Sequence, residues 1–150
     1  PQNLQTEVFA YGRMALAFSA RCFTARQRNL PKDDCQFSCL DHPDGLMLKT
    51  RESEEFLVLN GIQTQSARVH NLIDELPRMQ RMGVAVARIS PQAQHTGEIV
   101  ALFDAVRQGR RAPRDARTQL QPLLPEQSCN GYWHGRPGLD LVESEALAAA

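Results

Sequence analysis

Three cysteines, Cys22, Cys35 and Cys39, stand close together in the polar, Arg-flanked stretches Ser19-Ala-Arg-Cys22-Phe-Thr-Ala-Arg26 and Pro31-Lys-Asp-Asp-Cys35-Gln-Phe-Ser-Cys39-Leu40. Thiolates are soft ligands that suit an iron-sulfur cluster or zinc, and either centre takes about four of them or a histidine substitute. The Cys-x(3)-Cys spacing of Cys35 and Cys39 lets a loop or one helical turn aim both at a common centre. Arg21, Arg26 and Lys32 would offset the negative charge of a thiolate-bound cluster. Zinc is the structural alternative, with His42 as a fourth ligand, although the layout lacks the paired Cys-x(2)-Cys of most zinc ribbons. Spacing leaves both metals open, beside the plainer reading of three half-buried thiols that share no ligand. Cys129 brings the count to four and would allow a disulfide framework. Such a framework is disfavoured, because disulfide scaffolds are richer in cysteine and a chain of 150 residues can build a core without bridges.

Little else in the chain announces chemistry. His70, His95 and His134 are scattered and read as surface or polar-network histidines. No Gly-rich phosphate loop, Gly-x-Ser-x-Gly elbow or His-Glu-x-x-His pair is present, so a serine or zinc hydrolase has little support. Asn60, Gln63, Arg88 and Gln92 lie near strand ends, where a barrel would place ligand contacts, but each equally suits an ordinary loop hydrogen bond. The 17 Lys and Arg balance 17 Asp and Glu, which removes any electrostatic case for nucleic acid. No apolar run approaches the roughly 20 residues that span a bilayer, so no transmembrane segment is expected. The chain starts at Pro1 without the basic and apolar pattern of a leader, and reads as a cytoplasmic protein lacking its true beginning.

The elements that would position the cysteines follow from periodicity. Glu7–Gly12 alternates apolar and polar residues before a glycine and predicts a short strand. The cysteine segment, about 19–45, reads as loop with at most short helices. Glu55–Asn60 and Val84–Ser90 are apolar runs, closed by Asn60-Gly61 and by Pro91, and predict strands buried on both faces. Between them, Ser66 as N-cap and Val69, Leu72, Ile73, Leu76 and Met79 at helical spacing predict a helix that Pro77 kinks or stops. Thr96–Gln108 predicts an amphipathic helix with Ile99, Leu102, Phe103 and Val106 on one face and Gly109 as its stop. Residues 110–127, rich in Arg, Pro and Gln, read as an extended connection, and 128–150 as a C-terminal tail segment in which Tyr132 and Trp133 anchor a packed turn and Ala146–Ala150 frays. Strand and helix alternate, which means α/β architecture. Three strands cannot close a barrel, so residues 1–109 read as the C-terminal part of a larger β/α domain whose upstream strands are absent.

Glu7-Val-Phe-Ala-Tyr-Gly12 leading to Ser19-Ala-Arg-Cys22, then Asp34-Cys35 and Cys39, resembles the collagenase-like U-32 peptidase family. There a strand ending in glycine is followed by Gly-Arg-Cys, Gly-x-Cys and Pro-Cys-Arg. Within that family, the wording of residues 12–26, Pro31-Lys-Asp-Asp-Cys35, Leu59-Asn-Gly-Ile-Gln-Thr64 and Cys129-Asn-Gly-Tyr-Trp133 is similar to the members that serve ubiquinone biosynthesis. The likeness runs from about Glu7 to Leu141. It implies a TIM-barrel-like fold, a 4Fe-4S cluster on Cys22, Cys35 and Cys39, and a heterodimer with a sister subunit of the same family. It also implies oxygen-independent hydroxylation of a ubiquinone precursor during anaerobic growth, with prephenate as oxygen donor. Many relatives carry a further cysteine where this chain has Ala15, so the fourth ligand must come from elsewhere. The resemblance puts it in an upstream half that this chain does not contain, and Cys129 is the internal substitute. Relatives that act as peptidases carry Lys-Ile-Glu-Gly-Arg where this chain has Arg88-Ile-Ser-Pro-Gln92, which argues against proteolysis. A zinc- or cluster-stabilised scaffold without chemistry of its own, and a U-32 peptidase, remain the alternatives.

Overall fold

A computed structural model describes residues 4–143. The strands are β1 (Glu7–Gly12), β2 (Ala15–Phe18), β3 (Leu46–Lys49), β4 (Glu55–Asn60), β5 (Gln63–Ser66), β6 (Val69–Asn71), β7 (Val86–Ile89) and β8 (Ser128–Cys129). The helices are α1 (Phe23–Gln27), α2 (Leu76–Arg81), α3 (Thr96–Arg107) and α4 (Pro113–Leu120), with short 3-10 turns at Lys32–Asp34, Ser38–Asp41, Ile73–Glu75, Gln121–Leu123 and Gly131–His134. The chain divides into two compact units, one of Pro1–Gly12 with Val69–Ala150 and one of Arg13–Arg68.

The first unit carries a four-stranded sheet in the order β7-β1-β6-β8, with β7 parallel to β1, β6 antiparallel to β1 and β8 parallel to β6. Its core joins Tyr11 and Val69 of the sheet to Leu72, Ile73 and Met79, then to Ile99 and Phe103 of α3 and Leu120 of α4, all at most 4% exposed. Tyr11 and Phe103 meet edge to face with ring centroids 5.7 Å apart, a favoured aromatic geometry. Helix α3 follows the expected pattern: Ile99, Phe103 and Val106 are buried, Leu102 packs beside them, and Gly109 leaves the helix at φ +68. The Val84–Ser90 run forms β7, but as a largely exposed edge strand rather than one buried on both faces.

Several sequence expectations are corrected. No helix starts at Ser66; that residue closes β5, and Val69–Asn71 is strand β6, wholly buried. The apolar spacing from Leu72 to Met79 is genuine, but the helical stretch begins only after Asn71, whose Oδ1 accepts the Ile73 N–H at 3.1 Å and turns the chain. Pro77 accordingly sits in the first turn of α2, where its missing N–H costs no helix bond, and it starts the helix instead of kinking it. Residues 110–127 are not an extended connection. They hold α4, opened by Pro113, with Ala116 and Leu120 fully buried one turn apart. Within α4 itself Ala116 and Leu120 are the two apolar positions, too few to reveal a period. At the C-terminal segment Trp133 packs against the core, while Tyr132 is 57% exposed. Ala146–Ala150 lies outside the described residues.

The second unit is an antiparallel sheet in the order β2-β5-β4-β3, with α1 packed on β4. Strand β4 is therefore not a parallel strand buried on both faces: Val58 is its one fully buried side chain, and Phe56 is half exposed. A continuous apolar run signals two covered faces only where helices cover both, and here α1 is the sole α-helix. The unit's buried interior is small-sided, comprising Thr24, Ala25, Ser38, Val58, Ser66 and Ala67. The described strands thus form two four-stranded sheets and no closed barrel, and the protein is a mixed α/β chain.

Candidate metal centre

All three clustered cysteines fall in the Arg13–Arg68 unit, on consecutive short elements. Backbone bonds from Ser19 N–H to the Ile62 carbonyl and from Phe23 N–H to the Gly61 carbonyl, both 2.8 Å, tie the start of the segment to the β4–β5 turn. Cys22 is the N-cap residue of α1, and its side chain makes no capping bond, which leaves the thiol uncommitted there. Helix α1 packs on the 38–41 turn, and Thr24 and Ala25 of the helix and Ser38 of the turn are buried. Arg28, the C-cap of α1, reaches Asp41 at the end of that turn at 2.7 Å. Helix and turn, bearing Cys22 and Cys39, are thereby fastened to each other.

Cys35 ends the 32–34 turn in right-handed conformation, φ −77 and ψ −9. Gln36 at φ 52 and Phe37 at φ 49, ψ 33 then follow in the left-handed region. The turn bonds of this segment run from Asp34 N–H to Pro31, Ser38 N–H to Cys35, Leu40 N–H to Phe37 and His42 N–H to Cys39. The N–H groups of Gln36 and Phe37 take no part in them. Further on, Gly45 at φ +83 lets the chain return beneath β4, where a Cβ would stand 2.6 Å from Val58 Cγ1.

None of the four cysteines is in a disulfide; Cys22, Cys35 and Cys39 are half-buried, and Cys129 is buried in β8 of the other unit. The donor set suits a cluster in kind: three thiols in one unit, partly accessible, with a right-handed then left-handed backbone pair at Cys35-Gln36 of the sort that turns N–H groups toward an anion. It is not drawn together in position. Among the described residues no three His, Cys, Asp or Glu side chains are gathered closely enough to hold an ion.

The four weaker candidates fall two in each unit. Asn60 and Gln63 face each other across the β4–β5 turn, and Gln63 Oε1 accepts from Gln65 Nε2 at 2.8 Å. Arg88 and Gln92 belong to the other unit. Arg88 is ion-paired with Glu7 on neighbouring β1. Gln92 is used structurally, accepting from the Tyr11 hydroxyl at 2.5 Å and donating to the Leu123 carbonyl at 2.8 Å.

Sequence reasoning missed a buried polar cluster in that unit. Glu75 lies 3.6 Å from His134 Nε2 and 3.8 Å from Arg78, whose guanidinium covers the Trp133 ring. Burial raises the Asp74 pKa, its Arg117 partner at 3.1 Å opposes the rise, and Glu75 adds to it. His70 is buried on β6 opposite Cys129, its ring beside that of Phe9. Burial lowers its pKa against the opposing bond with the Phe9 backbone, and Nδ1 has no partner among the described residues. A histidine in a three-residue strand carries no sequence signal of burial.

The fold and the thiol segment define a mixed α/β protein with a cysteine-bearing antiparallel unit. Residues 2–142 match peptidase family U32, and the chain belongs to that family. No solved structure matches it. Among the described residues no helix is long and apolar enough to cross a membrane.

Proposed function

We propose that this chain is the 4Fe-4S subunit of an oxygen-independent hydroxylation complex for a ubiquinone precursor, similar to the ubiquinone biosynthesis protein UbiV and working with a UbiU-like sister subunit. The observation that carries the reading is the set of three thiols, none in a disulfide, on consecutive turns of one compact unit. Cys22, Cys35 and Cys39 would hold the cluster, and the fourth position falls to a ligand outside that set. When bound, the cluster supplies one-electron redox chemistry. The chain's own residues supply the seat: the Arg28–Asp41 pair holds α1 against the 38–41 turn, and the exposed Arg21 and Arg26 offset cluster charge.

A thermodynamic argument supports a metal in this unit. Its interior is built of Thr, Ala, Ser and one Val, while Phe18, Phe37, Leu40 and Phe56 are more than half exposed. Units of that size with so thin a core are marginal, and metal binding contributes directly to folding free energy. The test is anaerobic hydroxylation of a ubiquinone precursor by the chain together with its sister subunit. Activity that disappears in Cys35→Ala supports the reading, and activity unchanged in Cys35→Ala overturns it.

Membership of a peptidase family favours peptide cleavage as the second reading. Cleavage of gelatin or peptides that survives substitution of the three cysteines would establish it in place of the first. A colourless protein carrying stoichiometric zinc would instead establish a structural scaffold.

A further inference from the structure

The antiparallel sheet of the Arg13–Arg68 unit ends in two open edges. In the order β2-β5-β4-β3, no described strand pairs with the outer side of β2 or of β3. Unpaired N–H and carbonyl groups on an edge are a template for another strand, and proteins usually blunt them with charge, proline or a covering element. Strand β2 has none of these. Its sequence Ala15-Leu16-Ala17-Phe18 is wholly apolar and every residue is exposed, Leu16 at 47% and Phe18 at 69%. A register shift against β5 between Ala15 and Ala17 is its one irregularity. Strand β3, Leu46-Met47-Leu48-Lys49, is nearly as apolar, with Leu48 exposed, and its one cation is drawn to within 3.8 Å of Glu55 on β4. The surroundings of the two edges differ in sign. Every charged residue from Arg13 to Lys32 is a cation. Arg21, just past the end of β2, and Arg26 on α1 are exposed and stand in no ion pair among the described residues, whereas Arg28 is committed to Asp41. Past the end of β3, the 50–54 turn exposes Glu52 and Glu54 against the single cation Arg51, and Asp44 precedes the strand.

We propose that these edges are the two halves of one interface, in which the β2 edge of one copy of this chain pairs head to tail with the β3 edge of a second copy. Both strands are four residues long, and parallel alignment sets them side by side with Arg21 opposite the partner copy's acidic turn. Two-fold pairing of like edges is disfavoured. Antiparallel β2 against β2 would carry Arg21 of one copy toward Arg13 of the other, and juxtaposed like charges select against a contact. The interface is therefore heterologous: each copy offers a different edge to each neighbour, and assembly propagates into a chain or a closed ring. It requires neither a metal nor catalysis, and so stands independently of the hydroxylation reading.

Sedimentation velocity of the full chain over a concentration series tests this. The wild-type chain should form dimers and longer species that grow with concentration and shrink as salt screens the flanking charges. Leu16→Lys with Phe18→Lys blunts only the β2 edge, and Leu48→Lys with Glu54→Lys only the β3 edge. All four side chains are exposed, so the fold should persist, and circular dichroism checks that it does. Each double variant should be monomeric alone. Their equimolar mixture should stop at a single dimer, because one copy brings an intact β3 edge and the other an intact β2 edge. Arg21→Glu, which alters no strand residue, should weaken self-association about tenfold, and mixing it with Glu54→Arg should restore it. A wild-type chain that stays monomeric, including one that pairs only with a sister subunit, would overturn the proposal. So would a mixture that stays monomeric, or a single-edge variant that still dimerises with itself.

Discussion

Cys35 and Cys129 separate the roles that four cysteines could share. Cys35 sits in the half-buried turn segment with Cys39, whereas Cys129 is 2% exposed in a strand of the other unit, against the buried His70. Cys35→Ala should lose colour and most of the iron, and Cys129→Ala should keep both, as read by metal analysis and visible absorbance. Equal losses would bring Cys129 into the ligand set. His70 gives a separate prediction about stability. Burial holds its pKa below the ordinary value, so the folded state keeps a neutral ring while the unfolded chain takes up a proton near about pH 6.5. The unfolded state then binds more protons, and stability present above that pH is lost as pH falls toward the lower folded pKa. His70→Gln should flatten this acid slope by up to one proton's worth, measured by urea unfolding at several pH values. At this scale the candidate thiols were legible because thiols in polar sequence are rare and their spacing is visible. The left-handed pair was not, since Gln-Phe carries none of the Gly or Asn signature of positive φ.

Elements were legible where one period ran long enough to exclude its rival. Helix α3 shows three turns of apolar residues before a glycine stop, and β1 shows alternation before a glycine, and both form where expected. Strand β6 is three residues long, too short to display period two, and it sits beside a helical spacing that absorbed it. Helix α4 carries so few apolar residues that only its packing reveals it. Leu120→Ala should therefore destabilise the protein by about 2–5 kcal/mol, the usual cost of emptying a buried leucine site, whereas an extended surface connection would give a near-neutral change. Chemical denaturation distinguishes the two. Gly45 tests the element that follows the cysteine segment: Gly45→Ala adds a Cβ 2.6 Å from Val58 at φ +83, and should cost at least about 1–2 kcal/mol.

At the scale of the whole chain, alternation of strand and helix correctly indicated a mixed α/β protein, and family membership spans residues 2–142. The division into two units was not visible, because the antiparallel hairpins of Arg13–Arg68 interrupt the first unit's sequence without any linker composition to mark them. The two units also differ in what stabilises them. The first has a large aromatic and aliphatic core, and the second has small buried residues, exposed phenylalanines and three unbridged thiols. A metal centre would supply to the second what burial does not. The most direct measurement is iron, sulfide and zinc content with the visible spectrum, on protein purified without oxygen in the presence of a small thiol able to fill the fourth position. About four iron and four sulfide per chain, lost in Cys35→Ala, is the predicted result. Stoichiometric zinc without visible absorbance, or no metal at all, would contradict it.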